Sequence, residues 1–426
     1  YPDRRPHTGL LEFKNIYRPA RVTHYDQSTG TLTLHNYMDF VDLTDYATLS
    51  YELNCDGQVV SAGSVPFPGG FRLPPHADGT LPLPLDVPAK GKCFVNICYH
   101  CKQDSALIKA DHLLGFDEIP LQNSDPRNQD AVQLLGRPAG DGLITIRETD
   151  RMLVLSCEQF TYVFNKLTGL FDKMTFANEP LLDQPMGFNV WRAPTDNDRK
   201  LKADWYAAHY DHAATNAYHT EYTVTASGVT LHTHVGIAAI CVQKFLDLDV
   251  TWTVANNGSV DLALHAQRNT VFPELPRFGL RLFLPQEMSQ VNYYGMGPME
   301  CYCDKHHAAS HNSYTATVWQ LHEDYIRPQE NGSHFDCDYV MLAGDAVRLT
   351  AVGTQPFSFN ASHYTQEELT RKAHNYELEP CSSTVLCLDY AQNGIGSESC
   401  GPRLLEQYRL DDATFNFGLR LFPEKK

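Results

Sequence analysis

The sequence predicts an all-β protein made of two successive sandwiches, an expectation that rests on three observations. Apolar and polar residues alternate with a period of two in many short runs, the mark of a strand with one buried face. Gly, Pro, Asn and Asp punctuate those runs at short intervals, as strand-turn-strand chains require. Helix signals are confined to two segments, so no βαβ pattern is available and a sandwich is the remaining layer arrangement.

In chain order, residues 1–18 have no apolar set of their own and read as an approach segment. Residues 19–121 have the size and strand count of an immunoglobulin-like sandwich. Inside it, TLSYELNC and QVVSAGSV flank Asp56-Gly57, the pair a type I′ hairpin turn demands because both central residues need φ > 0. Cys98 and Cys101 form a lone C-x-x-C within FVNICYHC; no second pair follows at zinc spacing, so they read as strand cysteines. Residues 122–148 are polar and bear Pro and Gly, and read as a linker. Residues 149–426 form the second, larger sandwich.

Within that second part, KLTG (Lys166 to Gly169) turns a hairpin between TYVFN and LFDKM. Leu246, Leu248, Val250, Trp252 and Val254 alternate with Asp247, Asp249, Thr251 and Thr253, and the turn Asn256 to Ser259 leads into Leu262 and Leu264. Leu201 to Tyr210 is one helix candidate. The other starts at Thr365, where T-Q-E-E predicts a capping box with Glu368 and a helix to about Asn375.

Composition excludes several classes of function. With 34 Lys+Arg against 51 Asp+Glu, the net charge is −17, which repels nucleic-acid phosphates and anionic membrane surfaces. The longest apolar run, near Val235 to Val242, is interrupted by Gly236 and far too short to span a bilayer. At 42% hydrophobic residues the chain buries large cores, which excludes global disorder. Twelve irregularly spaced cysteines fit free thiols in a reducing, cytoplasmic compartment. The chain opens on Tyr1, from which further sequence upstream is expected.

Several longer words carry a resemblance. They are WRAPTDNDR (Trp191 to Arg199), NYYGMGPMECYCDKHHAA (Asn292 to Ala309), YIRPQENGSHFD (Tyr325 to Asp336), and FSFNASHYTQEELTRKAHNYEL (Phe357 to Leu378) followed by NGIGSESCGP (Asn393 to Pro402). In this order they resemble the closing part of large bacterial β-galactosidases of the second glycoside hydrolase family. DRRPHTGLLEFKNIYRPARV at the start is similar to the exit from that family's catalytic barrel. The resemblance implies an immunoglobulin-like domain followed by a large closing sandwich similar to galactose mutarotases.

It also implies retaining hydrolysis of terminal β-galactosides such as lactose, with both catalytic glutamates on a (β/α)8 barrel that this chain lacks. No catalytic residue is therefore expected here. Asn178-Glu179 repeats the family's acid/base dipeptide but precedes Pro180 in a loop, the wrong context for the motif. The substrate-rim candidates are Asp196, Asn197 and Asp198 in the first word, and Glu398, Ser399 and Cys400 in the last. The three Asx residues have two readings: oxygen ligands for a hard cation, or a turn in which Arg192 pairs with a carboxylate. Cys400 stands where related enzymes place a tryptophan that stacks on the leaving-group sugar. Gly394 and Gly396 read as turn glycines needing φ > 0. His306, His307, His322, His363 and His374 show no metal-ligand spacing, so no metal is expected on this chain; Mg²⁺ and Na⁺ are implied for the complete enzyme only. The partners implied are a galactoside, the catalytic barrel and further copies of the enzyme, with neither nucleic acid nor membrane. The rival readings are a stand-alone carbohydrate-binding sandwich and a mutarotase-like epimerase using a His/Glu pair.

Overall fold

The computed structural model describes residues 1–397 and 399–426. The chain divides into two compact units: Tyr1–Val132 with His306–Ser313, and Gln133–Lys305 with Tyr314–Lys426.

In the first unit, seven strands form two sheets. One has the order Ala20–Asp26, Thr31–Asn36, Asp78–Pro82; the other runs Gln58–Val65, Ala47–Cys55, Cys93–Cys101, Leu113–Pro120. Alternation in each strand buries Leu32, Leu34, Leu49, Leu53, Val95 and Ile97 in one core. Asp56 and Gly57 have φ of 52° and 80°, both positive as the type I′ turn requires.

Residues 1–18 differ from the approach segment expected. Thr8–Ile16 is an α-helix whose first turn is capped by His7. Asn15 is buried, exchanges hydrogen bonds with the backbone of Phe116 at 2.7 and 3.0 Å, and donates to the His307 carbonyl at 2.6 Å. One amide side chain thus ties the helix to a strand and to the returning segment. That segment, His306–Ser313, is stitched in by Glu118, which accepts from the His311 N–H at 2.7 Å, and by Phe94 stacked on the His311 ring at 4.2 Å.

In the second unit a five-stranded sheet has the order Glu179–Pro180, Leu170–Phe176, Phe160–Asn165, Met152–Ser156, Thr145–Glu148. It faces a sheet of twelve strands among the described residues. The continuous path of that sheet runs Gln184–Asn189, Arg277–Pro285, Ser383–Gln392, Val347–Ser362, Thr414–Lys425, Val260–Arg268, Leu246–Ala255, Gly228–Ala238, Ala214–Thr225. Trp252 is fully buried between the two sheets, edge-on to Phe171 at 5.4 Å, and donates its indole N–H to the Gly169 carbonyl at 2.9 Å. The stretch 122–148 is more structured than a linker: it holds the helix Gln129–Leu135 and the edge strand Thr145–Glu148.

Both helices are shorter than expected. Thr365 caps Gln366–Arg371 by accepting from the Glu368 N–H at 3.1 Å. Glu368 does not reach back; its carboxylate takes the Glu379 N–H at 3.0 Å and Arg371 instead. Reciprocal boxes lie instead at Thr317–Gln320 and at His374–Glu377, each on a single turn. Leu201–Ala207 stops before His209, which adopts φ 56°. Asn178 and Ala177 have positive φ and turn a hairpin into the exposed pair Glu179–Pro180. No helix among the described residues is long and apolar enough to cross a membrane.

Candidate functional site

Four of the sequence words meet in the second unit. Arg192, with no exposed surface, pairs with Asp198 at 2.7 Å and lies over the Trp205 ring at 5.1 Å. The same guanidinium donates to the carbonyls of Asn393 and Gly394, the latter at 3.1 Å. Asn197 donates to the Ile395 carbonyl at 2.5 Å. Asp304, at the tip of the turn closed between Tyr302 and Lys305, accepts the N–H of Ile395 at 3.0 Å and of Gly396 at 2.7 Å. Arg199 donates to the Ser399 carbonyl. Residues 393–396 and Ser399 are thus held on their backbone polar groups by side chains about 90 to 200 residues away in sequence. Satisfying buried backbone in this way fixes a loop that has no ladder of its own.

Beneath it lies a second buried ionic cluster. Arg277 pairs with Glu330 at 2.7 Å and with Asp389 at 2.5 Å, all three fully enclosed. Burial pulls against the charge of Arg277, but Asp389 and Glu330 more than offset it and hold its pKa well above the usual value. Burial raises Glu330 and Asp389, and the shared guanidinium only partly reverses this. Glu330 also exchanges backbone and side-chain hydrogen bonds with Ala193 in WRAP, at 2.9 and 3.4 Å. Glu300 pairs with Lys305 at 2.7 Å and accepts the Gly332 N–H at 2.9 Å. Burial alone would raise Glu300, but these donors and Tyr325 leave it lowered. Such pairs hold geometry rather than add net stability, since desolvation consumes most of their attraction. The cavity beside Tyr302, Ser333 and Gln392 is about 40 Å³, room for water and not for a sugar.

The family model described as "Beta galactosidase small chain" matches residues 156–421. The chain belongs to the β-galactosidase small-chain family. A second model, "Beta-galactosidase, domain 4", matches residues 32–122. The chain is 38% identical over 424 residues to a β-galactosidase of Actinobacillus pleuropneumoniae, covering 100% of this chain and 41% of that one. With a β-galactosidase of Staphylococcus xylosus it shares 33% over 426 residues, covering 99% and 41%. It therefore spans about two fifths of the length of these relatives. A weaker likeness, at TM-score 0.34 and 8% identity over 67% of this chain and 98% of the other, is to a galactose 1-epimerase from Lactobacillus acidophilus NCFM.

Within this family member the five rim candidates among the described residues do not form one cluster of ligands. Asp198 is buried, and both its oxygens are taken by Arg192 and Thr195. Asp196 is exposed, 3.9 Å from Arg327, and its N–H donates to the Gln329 side chain at 3.1 Å. Asn197 is spent on Ile395. The turn with an Arg192–carboxylate pair is the arrangement present; a hard cation would have to displace a guanidinium. Among the described residues no group of three His, Cys, Asp or Glu converges to hold a metal. Ser399 is half-buried and Cys400 exposed; Glu398 lies outside the described residues.

Gly394 and Gly396 depart from the expected left-handed turns, for neither has a positive φ. A Cβ at Gly394 would lie 2.6 Å from Asp304 Oδ2, and at Gly396 3.1 Å. The glycines make room for a carboxylate. Asp304, Glu300 and Glu330 sat inside the quoted words without being singled out. Arg277 and Asp389 lie outside them, and nothing in their local sequence marks either one.

Proposed function

We propose that this chain supplies the leaving-group side of the active-site rim of a retaining β-galactosidase acting on terminal β-galactosides such as lactose. The catalytic pair belongs to the part of the enzyme outside these 426 residues. The observation that carries this reading is the cradle of Arg192, Asn197, Arg199 and Asp304 around residues 393–396 and Ser399, beside exposed Cys400. A loop fixed this thoroughly, with a polar tip, suits a surface that must meet a substrate in one shape.

Retaining hydrolysis needs two carboxyl groups about 5 Å apart, one as nucleophile and one as acid/base. The close carboxylates here, Glu330 and Asp389, share Arg277 in a closed interior and are out of a sugar's reach. Cys400 has no ring to stack on a sugar, so the leaving-group site relies on polar contacts such as those Asp196 and Ser399 offer. In this reading the first unit is the immunoglobulin-like domain, the enzyme is cytoplasmic and associates with further copies of itself, and Mg²⁺ and Na⁺ belong to its barrel. The twelve free thiols support the reducing compartment.

Co-expression with the upstream part of the A. pleuropneumoniae relative tests the reading. Hydrolysis of a nitrophenyl galactoside is expected only when both parts are present. Cys400→Trp in the assembled enzyme should shift acceptor-sugar affinity by on the order of 1 kcal/mol and change hydrolysis less. Turnover by this chain alone, or an assembled enzyme indifferent to replacement of residues 393–400 by a Gly/Ser stretch, would sink it.

A further inference from the structure

The outward face of the large sheet carries an organised polar row. Alternation buries Leu248, Val250 and Trp252 and turns Asp249 and Thr251 outward. Register carries the pattern across five strands: His219, His234, Asp249, His265 and Asn416 are direct cross-strand partners in turn. Two residues along, the next row reads Glu221, His232, Thr251, Ala263, Gly418. That second row falls to a methyl and then to no side chain, so a trough opens beside the taller His265 and Asn416.

A bulge closes one end. Between Val352 and Phe357 the chain advances five positions while its partner advances only from Tyr339 to Cys337. The surplus brings Thr354 and Gln355 over the trough, where Thr354 donates to the Gly418 carbonyl and Gln355 to the Asn416 carbonyl, both at 3.2 Å. A Cβ at Gly418 would lie 2.3 Å from Thr354 Oγ1, so the overhang requires glycine there. Bulges that re-aim side chains are common beside binding sites. Two adjoining open depressions on this face, of about 340 and 440 Å³, share Asp249 and Thr251.

We propose that this groove binds a neutral saccharide, at a site separate from loop 393–399. The walls alternate donors and acceptors. His265 Nδ1 donates to the Asn416 side-chain oxygen at 2.9 Å, which leaves Nε2 as an acceptor. His234 is fixed between Asp249 at 2.8 Å and Asp247 at 2.9 Å. Glu221 and Asp249 repel anions, and an apolar ligand would strand the polar walls without partners. Hydroxyl groups both donate and accept, and they match such a row.

The test is saturation-transfer NMR on the 426-residue chain with lactose, cellotriose and maltotriose, beside calorimetry with zinc chloride. Transfer to at least one saccharide is expected. Thr251→Trp, which plugs the groove from a half-buried position on the outward face of its strand, should weaken binding by about tenfold or more; Ala263→Gln, at an exposed position, serves if that variant fails to fold. A chain whose residues 393–400 are replaced should bind as well as the parent. No transfer from any of the three sugars, binding that survives the plug, binding lost with the 393–400 segment, or zinc binding alone would each overturn the proposal.

Discussion

Arg192 joins Asp198, at 2.7 Å, to the carbonyls of Asn393 and Gly394 with one fully buried guanidinium. The pair is therefore at once a buried salt bridge and the clasp of a loop some 200 residues away. Removing one partner leaves an uncompensated charge in the interior. Arg192→Ala should cost about 3–5 kcal/mol in urea unfolding, and native-state proteolysis should move to residues 393–400. Unchanged stability with an intact loop would show that the clasp is dispensable.

Gly394→Ala should destabilise by about 1–3 kcal/mol, because its Cβ meets the Asp304 carboxylate. Asp304→Ala alone leaves the N–H groups of Ile395 and Gly396 without their acceptor. Together the two changes should cost less than their sum, since Asp304→Ala removes the obstacle that Gly394→Ala strikes. Strict additivity in a double-mutant cycle would count against this account.

His334 gives the pH dependence a particular shape. Its ring is fully buried against Phe359 and Tyr293, and burial lowers its pKa from 6.5 to about 4. The folded value lies below the unfolded one, so the unfolded chain takes up the extra proton. Stability from this residue is complete above about pH 6.5 and is lost as the pH falls toward about 4, a change on the order of 3 kcal/mol. His334→Phe should flatten denaturation midpoints across that window. An equally steep decline in the variant would place the titrating group elsewhere.

Thiol reactivity should separate the cysteines sharply. Cys241 and Cys400 are exposed, whereas Cys55 and Cys93 are buried cross-strand partners, and burial, with Cys93 close by, pushes Cys55 up to about 12. Iodoacetamide labelling followed by peptide mass spectrometry should find Cys241 and Cys400 modified first and Cys55 last. A Cys400 labelled as slowly as Cys55 would mean that the loop tip is covered.

Local pattern determined much of this protein. Leu246 to Val254 declares a half-buried strand by its own alternation, and Asp56-Gly57 declares its turn, because side-chain period and positive φ are properties of neighbouring residues. The words around Arg192, Asp304, Glu330 and Asn393 likewise marked where the family's identity lies. Their joint purpose was not legible. Gly394 reads locally as a turn glycine, yet the structure requires it for want of space beside Asp304. Thr365 reads as half of a capping box, yet Glu368 is claimed by Glu379 and Arg371. Arg277 and Asp389 lie 112 residues apart, and only the pairing of their two strands brings them together. The polar row from His219 to Asn416 exists because five strands share one register. Spacing along a chain fixes what a residue does to its own backbone; burial and cross-strand register decide which distant charges and hydroxyls must satisfy one another, and those were settled only when the sheets closed.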